Sequence, residues 1–174
     1  VKLMPIYLLA GILLLCLVLY KMLRPSANIH IAFKFVYVLT IFAFVALTAG
    51  LCLRGYLAER APWSNAYESM IYIAWALGLC GILFSRKSPL ALSLTSILAG
   101  LVLWVAHLGE MDPQITNLVP VLDSYWLSIH VSVITASYGF LGLCTLLGVF
   151  VLVLLCFMKK DGKYNANLAR NITE

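Results

Sequence analysis

Five long apolar segments, separated by short polar stretches, make up most of the chain. A helix needs about 20 predominantly apolar residues to cross a bilayer, and a backbone in lipid must close its hydrogen bonds within the protein. The pattern therefore predicts an all-α, polytopic integral membrane protein with about five transmembrane helices. The predicted helices cover residues 5–23, 29–53, 67–84, 89–108 and 126–158.

The composition excludes a soluble globular protein. Hydrophobic residues make up 63% of the 174 residues and charged residues only 11%, with a mean hydropathy of +1.00. A soluble domain cannot bury that much apolar surface. The first apolar run lacks a small-residue cleavage signature, so we interpret it as a helix and not as a signal peptide. We expect a single membrane domain, 1–174, that is part of a longer protein.

Lysine and arginine residues are distributed unevenly between the two sides of this topology. Only Lys2, Arg54 and Arg60 of the 12 lie at the end where helices three and five begin. Positive residues collect in the cytoplasm, so that end faces the exported side and residues 159–174 form a cytoplasmic connection or tail. The topology fits a bacterial inner (plasma) membrane with the site facing the periplasm or exterior, and equally a thylakoid membrane. We expect membrane lipid as a partner and no nucleic acid, because no basic stripe with interleaved aromatic residues occurs.

The fifth apolar segment is longer than a bilayer requires. About 20 residues counted back from Lys159 reach Tyr138. His130 then lies about 12 Å further out, at a rise of about 1.5 Å per residue. We therefore expect the last helix to project on the exported side, with His130 near its tip.

His130 is the first candidate for chemistry, because histidine binds metals and haem iron. Trp126 precedes it by one helical turn, so the two side chains share a helix face. The alternative is a histidine that hydrogen-bonds to a neighbouring helix or a lipid headgroup, and the residues alone leave both open. The five cysteines form no Cys-x-x-Cys pair and are predicted to be buried core thiols.

The polar stretch 62–69 also has two interpretations. Asn65 can cap the start of helix three, with Glu68 three residues on, as in a capping box. Alternatively, Trp63, Asn65, Tyr67 and Glu68 line a surface for a cofactor or a partner. On the last helix, small residues recur at helical spacing and predict a packing face. They are Ser128, Ser132, Thr135, Gly139 and Gly142.

Two motifs carry a resemblance to a known family. Residues 62–69 have the form P-x-S-N-x-Y-E-S, and residues 118–131 the form L-V-P-x-L-x-S-x-W-x-x-x-H-V. In this order and topology they resemble the System II cytochrome c synthases of the CcsA, ResC and CcsBA type. The resemblance extends over about residues 29–170.

The resemblance implies a haem-exporting holocytochrome c synthase, also called a cytochrome c haem lyase. Such a protein presents haem b on the exported face for thioether attachment to the C-x-x-C-H motif of apocytochrome c. In the family the histidine that matches His130 is an axial ligand of the exterior haem iron. If haem binds here, we expect Arg54 or Arg60 to meet its propionates, because arginine suits carboxylates. The surrounding candidates for cofactor binding are Trp126, Trp63, Tyr67, Asn65, Glu68 and Tyr125.

The chain lacks one part of the family pattern, the tryptophan-rich segment W-G-x-Y-W-x-W-D-P-K-E. We therefore expect it to be incomplete alone and to need the remainder of the synthase, which comprises that segment and a CcsB- or ResB-type part. Two alternatives stay open: a haem transporter or carrier without synthase activity, and a non-catalytic membrane scaffold subunit. No catalytic residue is assigned.

Overall fold

The computed structural model describes residues 3–24, 30–59, 61–85, 88–108 and 124–157. These residues form five α-helices, each long and apolar enough to cross a membrane. The predicted all-α, polytopic architecture is confirmed. The predicted tail, Arg60 and the first six residues of the second motif, 118–123, lie outside the described residues. The helices are α1 Met4–Leu23, α2 His30–Ala58, α3 Ala66–Phe84, α4 Pro89–Leu108 and α5 Tyr125–Phe157.

The clearest departure from the predicted helix bounds is the end of α2. The predicted helix ended at Leu53, just before Arg54, but α2 continues to Ala58. Arg54 lies within this extra stretch of helix, and its guanidinium has a carboxylate partner, Glu68, on α3. The helix ends where Glu59 adopts a positive φ of 50°, the left-handed conformation that commonly terminates helices.

Helix α4 occupies a central position, packed most extensively against α1 and α3. Glycines allow the close approach to α1. A Cβ atom on Gly11 would lie 2.7 Å from the backbone nitrogen of Ile97, and one on Gly100 would lie 3.0 Å from that of Leu8. These pairs also show that the two helices are antiparallel. Small residues at the contact between membrane helices allow two backbones to approach closely, and these glycines do so here.

Interhelical contacts define one end of the bundle as the location of both polar motifs. Arg54 near the end of α2 meets Glu68 at the start of α3. Trp63, just before α3, meets Ser128 at the start of α5. Helices α1, α3 and α5 therefore begin, and α2 and α4 end, at the same end, which we call the upper end.

Helix α5 packs through the predicted stripe of small residues. Thr135 and Gly139 are buried, and a Cβ on Gly139 would lie 3.3 Å from Cγ2 of Ile73 on α3. The packing role of the stripe is confirmed. The helix has 33 residues, which at about 1.5 Å per residue makes it about 50 Å long, against about 30 Å of hydrocarbon.

The cysteine prediction is wrong for most of the described thiols. Cys80 is buried, but Cys16, Cys52 and Cys144 are exposed on helix surfaces. In a soluble protein, an apolar run indicates the interior. Membrane helices are apolar on the lipid-facing side too, so an apolar neighbourhood in sequence does not distinguish the core from the outer surface.

Candidate functional site

The turn before α3 is folded by its own polar side chains. Asn65 Oδ1 accepts a hydrogen bond of 2.7 Å from the backbone N–H of Tyr67, so the predicted N-cap is confirmed. The Ser69 hydroxyl donates to the Trp63 carbonyl at 3.1 Å, and the Ser64 hydroxyl donates to the Ala61 carbonyl at 2.8 Å. Such local bonds hold a turn in a single conformation.

A buried ion pair connects this turn to α2. Arg54 Nη2 lies 3.4 Å from Glu68 Oε1, and the Glu68 side chain is 0% exposed. The Arg54 guanidinium also lies over the Tyr67 ring, 5.0 Å from its centroid, in a cation–π contact. Tyr67 is buried as well. This pair was not predicted from the sequence, where Glu68 fits a capping box with Asn65 and Arg54 suits haem propionates.

An aromatic row extends from the turn into the bundle. Ring centroids are 5.1 Å apart for Trp63 and Tyr72, 5.7 Å for Tyr72 and Trp75, and 6.0 Å for Trp75 and Phe44. The Trp75 indole donates to Thr48 Oγ1 on α2 at 3.0 Å. Tyr72 and Trp75 were not among the predicted site residues. Tyr72 follows Glu68 by four residues and Trp75 follows Tyr72 by three, and this spacing could have placed all three on one face of α3.

An apolar cavity of about 380 Å³ lies beside the aromatic row, between α2 and α3. The aromatic row forms one wall, and residues 48–55 of α2 form the other. Its lining residues are Thr48, Leu51, Cys52, Gly55, Pro62, Trp63, Tyr72 and Trp75.

Trp63 crosses from the turn to α5. Its indole Nε1 donates a hydrogen bond of 3.2 Å to the backbone carbonyl of Ser128. The two residues are 65 positions apart in the sequence. This bond joins the first polar motif to the second.

The start of α5 presents an exposed aromatic surface with a histidine. Tyr125 is 78% and Trp126 is 77% exposed, and their rings meet edge to face with centroids 6.3 Å apart. His130 is exposed one turn after Trp126. His107 is also exposed, in the last turn of α4 at the same upper end.

The structure divides the seven candidate residues into two groups. Tyr67 and Glu68 are buried around Arg54, beside the capping residue Asn65, and Trp63 is half-buried between α3 and α5. Tyr125, Trp126 and His130 form the exposed group on α5. Haem contact by any of them stays a prediction. The first group is held inside the fold and the second group is exposed at its surface.

The chemistry available to the exposed group is that of a single imidazole. Among the described residues, no three His, Cys, Asp or Glu side chains lie together as they would in a metal site. Zinc requires three or four protein ligands. Iron held in a macrocycle requires only one or two axial ligands, and histidine is a common one. Of these two chemistries, the exposed group fits the second.

Comparison with known sequences decides the family. Residues 63–173 match the profile of the family described as Cytochrome C assembly protein. The chain belongs to the cytochrome c assembly protein family. The match contains Trp63, which begins the aromatic row, and His130, so both groups of candidate residues lie within the family region.

The chain is also similar in sequence to individual named proteins. The chain is 46% identical over 157 residues to Protein NrfI of Wolinella succinogenes, across 90% of this chain and 17% of NrfI. It is 40% identical over 113 residues to Cytochrome c biogenesis protein CcsA of Synechococcus sp. strain CC9311, across 63% of this chain and 37% of CcsA. The protein of that name from Prochlorococcus marinus strain MIT 9303 is 38% identical over 112 residues. The chain thus spans well under half the length of these relatives.

Proposed function

We propose that this chain is part of a holocytochrome c synthase that binds haem b at the upper end of the bundle, with His130 as an axial ligand of the iron. The observation that carries this proposal is the exposed imidazole beside two exposed aromatic rings at the start of α5. Membership of the cytochrome c assembly family and the relatives named for cytochrome c biogenesis support it.

The exposed aromatic pair suits a flat apolar ligand. Tryptophan and tyrosine side chains bury large apolar areas when they bind, and their ring faces favour offset stacking on other π-systems. Trp126 and His130 project from the same face of α5 because they are four residues apart. A porphyrin bound through its iron to His130 would therefore meet an aromatic neighbour on the same helix.

The proposed reaction joins a cysteine thiol of apocytochrome c to a vinyl group of haem, which we treat as a substrate. The sulfur bonds to one vinyl carbon and the thiol hydrogen is added to the other, so neither oxidant nor reductant is consumed. The protein contributes proximity and orientation, which can account for a large part of a rate enhancement. A rigid support for His130 is therefore the property that this chain must supply.

The proposed direction of presentation follows the charge distribution. The upper end is the end with few lysines and arginines, and positive residues favour the cytoplasm. We therefore place the upper end on the exported side of a bacterial inner membrane or a thylakoid membrane. The proposed partners are apocytochrome c and the remainder of the synthase, because the relatives are much longer than this chain.

The experiment is a visible absorption spectrum of the intact protein purified with its haem, for wild type, His130→Ala and His107→Ala. We expect His130→Ala to lose most of the haem signal and to regain it with added imidazole, which can replace the missing ligand. His107→Ala is the matched control, since His107 is also exposed at the upper end. A haem signal in His130→Ala equal to that of wild type would refute ligation by this residue.

A further inference from the structure

Trp63 is held in place from three directions. Its carbonyl accepts a hydrogen bond of 3.1 Å from the Ser69 hydroxyl. Its ring lies 5.1 Å from that of Tyr72, at 45°. Its indole N–H donates to the Ser128 carbonyl on α5 at 3.2 Å. A half-buried aromatic side chain restrained by backbone, ring and polar tip has few alternative rotamers.

Among the hydrogen bonds of the described residues, the bond to Ser128 is the one that joins α5 to another part of the bundle, the turn before α3. The close small-residue packing of α5 begins lower down, at Thr135 and Gly139. Above that level, Tyr125 and Trp126 are largely exposed. The Trp63 bond is therefore a fixed contact at a level where much of the α5 surface is exposed.

His130 is two residues after Ser128. At about 100° per residue, the two side-chain directions differ by about 200°, so they lie on opposite faces of the helix. Ser128 is half-buried and its backbone carbonyl accepts the Trp63 bond, whereas the His130 side chain is exposed on the opposite face. A change in the position or rotation of the turn would move the imidazole directly.

We infer that Trp63 is a positioning residue for His130, acting through the hydrogen bond from its indole N–H to the Ser128 carbonyl. The inference deepens the proposed function and rests on it for the role of His130. The inference also assigns a structural role to the first polar motif, residues 62–69. The Asn65 cap, the Ser69 hydroxyl and the Arg54–Glu68 pair fix the turn that aims Trp63 at α5.

The chain offers a matched pair of variants for the test. Trp63→Phe removes the indole N–H and keeps a ring beside Tyr72. Trp75→Phe removes an indole N–H from the same aromatic row, but that donor bonds to Thr48 on α2 and not to α5. A general loosening of the row would affect both variants, whereas loss of the support for α5 would affect only the first.

Two measurements are made on the intact protein, namely hydrogen exchange of the amides at residues 129–133 and the visible spectrum of bound haem. One lost hydrogen bond corresponds to about a fivefold change in an equilibrium constant. We expect exchange about fivefold faster and a weakened, shifted haem spectrum in Trp63→Phe. We expect Trp75→Phe to match wild type in both measurements.

The exchange measurement separates this inference from the proposed function. Exchange in Trp63→Phe equal to that of wild type, or equal acceleration in both variants, would overturn the positioning role whatever the haem spectrum shows. Faster exchange in Trp63→Phe alone supports the positioning of the turn. If the haem spectrum is then indifferent to His130→Ala, it is the proposed ligand that is wrong, and Trp63 supports the turn for another purpose.

Discussion

The Glu68 carboxylate has no solvent exposure and lies in the first turn of the membrane helix α3. An isolated charge there would be strongly unfavourable, so its place depends on partners such as Arg54. The arrangement connects the end of α2 to the start of α3 by side chains only 14 residues apart in the sequence. Breaking one half of a buried pair generally costs more than the pair contributes, because a charge is left behind.

The Arg54→Met variant tests this arrangement. We expect it to lower the free energy of unfolding in detergent by about 3 kcal/mol, since the Glu68 charge stays buried. The double variant Arg54→Met/Glu68→Gln should recover most of the loss, because no charge then remains. Glu59→Gln, at an exposed acid nearby, should change stability by less than about 0.5 kcal/mol. Equal stability of Arg54→Met and wild type would contradict this account of the pair.

At the residue scale, sequence reasoning succeeded where the interaction is local. The Asn65 cap was predictable because the capping side chain and the N–H that it accepts from are two residues apart. The Arg54–Glu68 pair and the Trp63–Ser128 bond were not predictable. Both depend on how separate helices are placed, and nothing in the local pattern of residues encodes that placement.

At the scale of elements, most helix bounds were predictable, because membrane spans end where apolar runs end. Helix pairing was not. The helices are apolar on all sides, so the sequence has no clear polar face to indicate which side meets a neighbour. The stripe on α5 was recognised from its small residues, but Gly11 and Gly100, which bring α1 against α4, were not.

The glycine contacts predict which helix positions tolerate a methyl group. Gly11→Ala places the new carbon against the Ile97 backbone, which cannot rotate away. We expect a loss of about 1–3 kcal/mol in the free energy of unfolding, measured by denaturation in detergent. Gly50→Ala is the control, since nothing lies within 4 Å of its added carbon. It should be neutral or stabilise by up to about 1 kcal/mol. Equal effects of the two substitutions would contradict the proposed α1–α4 contact.

At the scale of the whole molecule, two motifs far apart in the sequence form one assembly at the upper end. Side-chain hydrogen bonds within the first motif fix the turn between α2 and α3, and the Trp63 indole connects this turn to Ser128 on α5. The second motif presents His130 on the opposite face of the same helix. Support by the first motif and presentation by the second would explain why residues 63–173 contain both buried polar residues around Glu68 and the exposed Tyr125, Trp126 and His130.

The central claim is that His130 holds haem for cytochrome c assembly. The most direct test is the yield of covalently haem-bearing cytochrome c in cells whose only copy of the intact protein carries His130→Ala, with His107→Ala as the control. The account predicts that His130→Ala abolishes most of the yield, that added imidazole restores part of it, and that His107→Ala gives the wild-type yield. A wild-type yield from His130→Ala without imidazole would contradict the account.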